Sequence, residues 1–98
     1  MMKVQISERA KFQLKESAKF YESRQSGLGK KFTKSVRKKL EFVVKNPLAA
    51  EIKYDDVHVT YLKVFPFNIH YFYDKDNSVI FISSIFHTSQ NPEKTIKL

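Results

Sequence analysis

Polar and apolar residues alternate from Lys3 to Ile6, with Val4 and Ile6 on one side, and the period then changes. Alternation of this kind marks a strand, because successive Cβ atoms point to opposite faces. Ser7 follows in position to cap a helix with Glu8 in its first turn, where a carboxylate meets the positive end of the backbone dipole. Along residues 9 to 24, Ala10, Leu14, Ala18 and Tyr21 recur at helical spacing and form one apolar stripe. Gly27-Leu28-Gly29 breaks that helix and makes a tight reversal.

The second helix has the clearest pattern in the chain. Leu28, Phe32, Val36, Leu40, Val43 and Val44 fall in one arc of the helical wheel, opposite Lys30, Lys31, Lys34, Arg37, Lys38 and Lys45. Lys39 sits among the apolar positions, where its stem can pack while its ammonium reaches water. Asn46-Pro47 stops the helix, because Asn tolerates a left-handed closing conformation and the residue before Pro avoids the helical region. Two helices joined by so short a link form an antiparallel hairpin.

Beyond a polar turn at Asp55-Asp56 the chain becomes β-rich, with strands predicted at Val57 to Phe65, Ile69 to Tyr73 and Val79 to His87. Asp74-Lys75-Asp76-Asn77 reads as a hairpin loop, and Pro66, lacking a backbone donor, belongs at a corner between strands. Both faces of these strands are apolar. Ile69, Tyr71 and Tyr73 point one way and Phe72 the other, while Ile80 and Ile82 oppose Val79, Phe81 and Ile85. The helical hairpin covers one face, so the other is expected to be an interaction surface, or to be covered by the tail through Ile96 and Leu98.

The fold expected is therefore α+β: an N-terminal strand, an antiparallel two-helix hairpin and a three-stranded antiparallel meander, with the helices on one face of the sheet. Residues 1 to 98 make one domain, since a chain of 98 residues has room for a single modest core. There is no cysteine, which removes disulfides and thiolate metal sites and fits a reducing cytoplasm. No apolar run has the length of a signal peptide core or a membrane span, so a cytoplasmic protein without membrane contact is expected.

Net charge is +8, and it is unevenly placed. Residues 1 to 47 hold 13 Lys and Arg against 4 Asp and Glu, whereas residues 48 to 98 hold 5 against 6. All the positive excess lies on the helical layer, which suits an acidic partner or is a solvated basic face.

Taken in order, several short motifs carry a resemblance. They are Tyr21-Glu22, Gly27-Leu28-Gly29 with Phe32, Asn46-Pro47, Val57, Phe65-Pro66-Phe67 with Ile69 and Tyr71, and the apolar strand ending in Ile85, His87 and Asn91-Pro92. With them the chain resembles, over nearly its whole length, the ParE branch of the RelE/ParE superfamily of type II toxin-antitoxin toxins. The resemblance implies a bacterial growth-inhibiting toxin of the plasmid-stabilisation kind, bound by a small acidic antitoxin whose C-terminal segment wraps across it. In the RelE branch, Lys and Arg on the sheet stabilise the phosphorane charge as mRNA is cut on the ribosome. In the ParE branch the toxin is not a nuclease, and its usual target is DNA gyrase.

Two ParE arginine positions are occupied here by His58 and Gln90, and the positions of the nuclease cations by Val59, Tyr61, Asn68 and Thr88. None of the four is charged. Cleavage through a 2′-hydroxyl needs a base, an acid and a preorganised cation, so the expectation is a non-enzymatic toxin acting by protein contact, without a cofactor or metal. Partner binding is assigned to Lys30, Lys34, Arg37 and Lys38 on the second helix, with Phe72 and His87 on the sheet. The alternative is a ribosome-dependent endoribonuclease using His87, Tyr71 and Lys63, with the ribosome and mRNA as partners. A third reading is an orphan that kept the fold and lost toxicity. For His58, His70 and His87 a structural or interface role outweighs catalysis, because no residue that would tune them is evident from the sequence. Tyr61, Tyr71 and Tyr73 could stack on bases but more often serve a small sheet as core. Phe12 and Phe20 lie off the first helix's stripe, either exposed or packed on a second side.

Overall fold

The computed structural model describes residues 2–88; Gln90, the Asn91-Pro92 pair, Ile96 and Leu98 lie outside the described residues. Strand β1 (Lys3–Ile6) leads through Ser7 into helix α1 (Glu8–Arg24), then helix α2 (Leu28–Lys45). Four strands follow: β2 (Glu51–Tyr54), β3 (Val57–Tyr61), β4 (Phe67–Asp74) and β5 (Val79–His87). They form one sheet in the order β1-β5-β4-β3-β2, with β1 parallel to β5 and the other pairs antiparallel. The α+β arrangement holds, and the meander has one strand more than expected.

The extra strand is β2. Asp55 and Asp56 both take positive φ, 40° and 62°, as the two central residues of a tight hairpin turn must when they are to match the twist of the flanking strands. The turn therefore pairs Glu51–Tyr54 back onto β3. It also brings a carboxylate into a sheet whose three predicted strands had none, with Glu51 at 3.2 Å from the Lys53 ammonium. At the other end β3 stops at Tyr61 and not at Phe65, and Pro66 does sit at the corner.

The expected side assignment of Ile85 is corrected by a bulge. Ile69 pairs with Ile85 and Tyr71 with Ile82, so Ser83 is an extra residue in β5, and the strand changes face there. Ile80, Ile82 and Ile85 consequently all point to the helices and join the core with Phe67, Ile69 and Tyr71.

The pairing with β1 ends at Ile82, and beyond it Ser7 and α1 satisfy the edge of β5. The Ser7 amide donates to the Ile82 carbonyl at 2.9 Å, and its hydroxyl donates to Ser83 O at 2.8 Å. The Ile85 amide donates to Gln13 Oε1 at 2.7 Å. The Ser7 hydroxyl also accepts from the Ala10 amide, as a helix cap does.

The helical hairpin is locked at its turn. Glu22, near the end of α1, accepts hydrogen bonds from the amides of Gly27 and Gly29 at the start of α2, the shortest at 2.9 Å. Gly27 has φ 87°, and a Cβ on Gly29 would lie 2.5 Å from the Ala18 carbonyl oxygen. The first glycine supplies a conformation and the second a close approach. At the far end Asn46 has φ −137°, so it closes α2 by side chain and not by a left-handed turn: its Nδ2 donates to Phe42 O at 3.1 Å.

The Phe65-Pro66-Phe67 corner inserts between the helices. Tyr21, Phe32, Phe65 and Phe67 form an aromatic cluster with ring centroids 4.8 to 6.1 Å apart.

Candidate functional site

Three surfaces could meet a partner, and they lie on different sides. The sheet face away from the helices carries Val57, Val59, Asn68, His70, Phe72, Phe81 and Ser84, as the strand registers require. Its middle is buried at Val57, Val59, Asn68, His70 and Ser84. Towards the β4–β5 turn it opens onto Phe72 and Phe81, which are 38% and 36% exposed with ring centroids 6.3 Å apart. Tyr54, delivered by β2, places its hydroxyl 2.9 Å from His70 Nδ1, and Phe86 lies edge-on to the same imidazole at 5.1 Å. Three of the nuclease cation positions, Val59, Tyr61 and Asn68, do share this face, with Tyr61 opposite Asn68. The fourth, Thr88, follows β5, and its amide donates to Pro66 O.

The second surface is a groove of about 740 Å³ between α2 and the loop that carries Leu62 to Phe65. Lys31, Lys34, Lys38 and Lys39 border it from the helix and Lys63 from the loop. Apolar surface is left between them at Phe42 and at Val64, which is 77% exposed. The Lys39 ammonium sits 5.3 Å from the Phe42 ring centroid, with its stem half-buried, as its place among apolar positions implies.

The third is a shallower groove along α1, where Phe12 and Phe20 stand 65% and 53% exposed. Both project outwards, which answers the question their off-stripe positions raise. His87 lines this groove, half-buried and edge-on to Phe67 at 5.3 Å.

The residues grouped from the sequence are thus dispersed. Of the nuclease set, His87 lines the α1 groove, Lys63 lines the α2 groove, and Tyr71 is wholly buried with its hydroxyl on the Pro47 carbonyl at 2.9 Å. Burial raises the pKa of the Tyr71 phenol above its ordinary value. Of the partner set, Lys34 and Lys38 line the α2 groove, Lys30 and Arg37 are exposed on the same helix outside it, and Phe72 is on the opposite side of the sheet. His58 is buried against Tyr71, stacked at 5.0 Å, with Nδ1 2.8 Å from the Ala50 carbonyl. Among the described residues no three His, Cys, Asp or Glu side chains are placed to hold a metal ion, and no helix is long and apolar enough to cross a membrane.

A two-helix hairpin on one face of a sheet with this order is recognised at the level of the whole chain. The family model of the ParE toxin of type II toxin-antitoxin systems, parDE, matches residues 4–92. The chain belongs to that family. Among solved structures, the isolated RelE toxin of Escherichia coli is similar at TM-score 0.67 and 19% identity, covering 99% of this chain and 97% of that one. The toxin-antitoxin complex RelBE of E. coli gives 0.66 and 19%, covering 87% and 94%. The chromosomal ParDE toxin-antitoxin system of Pseudomonas aeruginosa gives 0.65 and 22%, covering 89% and 96%. These likenesses establish the RelE/ParE fold. No curated protein sequence matches the chain significantly.

Several of the described residues that carry the ParE resemblance turn out to be architectural. Tyr21, Phe32, Phe65 and Phe67 are the aromatic cluster, Glu22, Gly27 and Gly29 the hairpin lock, and Pro47 and Tyr71 a hydrogen-bonded pair. Phe42 and Val64 of the groove, and the pairing of Tyr54 with His70, were not foreseen from the sequence as binding or catalytic features. The available signal for Tyr54 was the Asp55-Asp56 dipeptide, which as a two-residue hairpin turn implies a strand on each side.

Proposed function

We propose that this ParE-family protein is a toxin that acts by protein-protein contact, with DNA gyrase as its target, and that a small acidic antitoxin neutralises it. The observation that carries this reading is the division of the surface. Basic side chains are gathered on α2, while Val59, Tyr61 and Asn68 occupy the sheet positions where a nuclease of this superfamily would hold cations. An uncharged site of that kind has nothing to offset the charge of a pentacoordinate phosphate. Membership of the ParE family supports the same direction.

A second reading is favoured by one observation, the Tyr54–His70 hydrogen bond on the sheet face, since a phenol and an imidazole in contact can serve as acid and base for cleavage of mRNA on the ribosome. The two are separated by inducing the gene in bacteria and assaying the purified protein against gyrase and against programmed ribosomes. Growth arrest with lost supercoiling and intact mRNA supports contact; cut mRNA with supercoiling preserved supports the nuclease. No arrest on induction would leave the fold without toxicity.

A further inference from the structure

Two phenylalanines on the outer side of α1 face solvent, and the charges around them are arranged symmetrically about a midpoint. We propose that α1 binds α1 of a second copy of this chain, antiparallel, across a two-fold axis at Glu16.

Glu8, Phe12, Glu16, Phe20 and Arg24 follow one another in steps of four, so they form one ridge across the helix, and all five are exposed. Phe12 and Phe20 flank Glu16 at equal distance, and the ridge begins on an acid and ends on a base. When two such ridges run antiparallel with Glu16 at the axis, Phe12 meets Phe20 of the second copy and Glu8 meets its Arg24. Both contacts occur twice, as an isologous interface requires. A ridge meant for an unrelated protein has no reason to be complementary to its own reverse.

The end charges are open to such a contact. The Glu8 side chain is 93% exposed and reaches Lys11 only at 3.9 Å. The Arg24 guanidinium lies 5.1 Å from the Phe20 ring centroid and makes no ion pair among the described residues. At the axis the two Glu16 carboxylates approach each other, and the Lys19 ammonium, 3.6 Å from Glu16 in each copy, offsets their repulsion. Beside the ridge, the groove of about 450 Å³ that reaches Phe67 and Ile85 gives the opposing rings a place to seat. Self-association at α2 is opposed by its charge, seven Lys and Arg against one Glu, whereas α1 has five against three. The pairing leaves the α2 groove and the Phe72–Phe81 patch uncovered on both copies.

The test is the mass of the full chain by sedimentation at about 0.15 M salt, as its concentration rises from about 1 to about 500 µM. One helix from each copy makes an interface at the small end of the specific range, so the 11.6 kDa monomer should convert to twice that mass with a midpoint at about tens of micromolar, and to nothing larger. Phe12→Ser/Phe20→Ser, checked for folding by circular dichroism, should raise the midpoint about tenfold or more. Leu48→Ser, which removes an apolar side chain 70% exposed away from α1, should leave it within about twofold. Glu8→Arg and Arg24→Glu each set like charges opposite one another at both ends, and each should raise the midpoint about threefold or more. Combined in one chain they restore the pairing and the wild-type midpoint. Mixed as two proteins, the single variants should associate with each other in preference to themselves.

A wild type that stays monomeric throughout, association beyond the dimer, an equal shift in Leu48→Ser, or a charge-swapped double variant no better than the singles would each overturn the proposal. A monomeric wild type whose inhibition of gyrase is lost in Phe12→Ser/Phe20→Ser would overturn it too, and would assign this face to the target.

Discussion

The hydroxyl of Tyr71 donates to the carbonyl of Pro47 at 2.9 Å, joining the centre of the sheet to the segment that leaves α2. His58 stacks on the same ring, so Tyr71 is held on one side by an imidazole and at its tip by the backbone. Its role here is therefore structural, and Tyr71→Phe should lower stability by about 1 kcal/mol while leaving growth arrest in place. Urea unfolding of the purified variant measures the first, and induction from a regulated promoter the second.

Burial also raises the pKa of the phenols of Tyr71 and Tyr21 above their ordinary 10.0, and this fixes the sign of an alkaline effect. The folded state keeps protons that the unfolded chain has released, so stability is fully present below the unfolded value and falls as pH rises through the folded one. Unfolding midpoints in urea should be level from neutral pH to about 9 and then decline. The decline should be shallower in Tyr71→Phe, and a midpoint that rises with pH above 10 would contradict the assignment.

The two glycines of the hairpin turn should respond differently to alanine. Gly29→Ala puts a methyl 2.5 Å from the Ala18 carbonyl, which forces the helices apart and should cost about 2 kcal/mol or more. Gly27→Ala meets open space but keeps φ 87°, so about 1 kcal/mol is expected. Glu22→Ala leaves both glycine amides without their acceptor and should cost about 1 kcal/mol. Thermal unfolding of the three variants gives the ranking, and Gly29→Ala as the mildest would be inconsistent with the close crossing.

These pairs also explain how far the sequence could be read. Helical periodicity exposed α1 and α2, and the boundary residues Ser7, Gly27 and Pro47 placed their ends, because caps and breakers act through local backbone chemistry. The bulge at Ser83 was not legible: it follows from Ser7 and Gln13 satisfying the edge of β5 from 76 and 72 residues away, and no local pattern records that. Strand β2 was missed because Glu51-Ile52-Lys53-Tyr54 is a short, mostly exposed edge strand, which gains little from apolar burial. The grouping of His87, Tyr71 and Lys63 could not take packing into account, and the three belong to a groove, the core and another groove.

The Tyr54–His70 pair separates the two functional readings by a single oxygen. Under the contact reading, Tyr54→Phe leaves growth arrest unchanged and mRNA on the ribosome intact, because the phenol does no chemistry. Under the nuclease reading, removing a general acid or base slows cleavage by about a hundredfold or more. Primer extension on a reporter transcript after induction distinguishes these outcomes.

On the sheet face, Phe72 and Phe81 expose more than a third of their surface next to each other. Phe72→Asp should change unfolding free energy by no more than about 1 kcal/mol, since the ring is not in the core. If the face binds a partner, the same change should weaken association with the neutralising protein by about tenfold or more, because an exposed aromatic pair is an efficient anchor. Calorimetric titration with the co-expressed partner provides the value.

The most direct test of action by contact is a titration of purified protein into a gyrase supercoiling reaction, run beside the same titration into programmed ribosomes. The account predicts that supercoiling fails in proportion to the protein added, approaching completion at comparable amounts of protein and gyrase, while the mRNA stays whole. Supercoiling untouched at large excess, together with mRNA cut many times over by each molecule of protein, would contradict it.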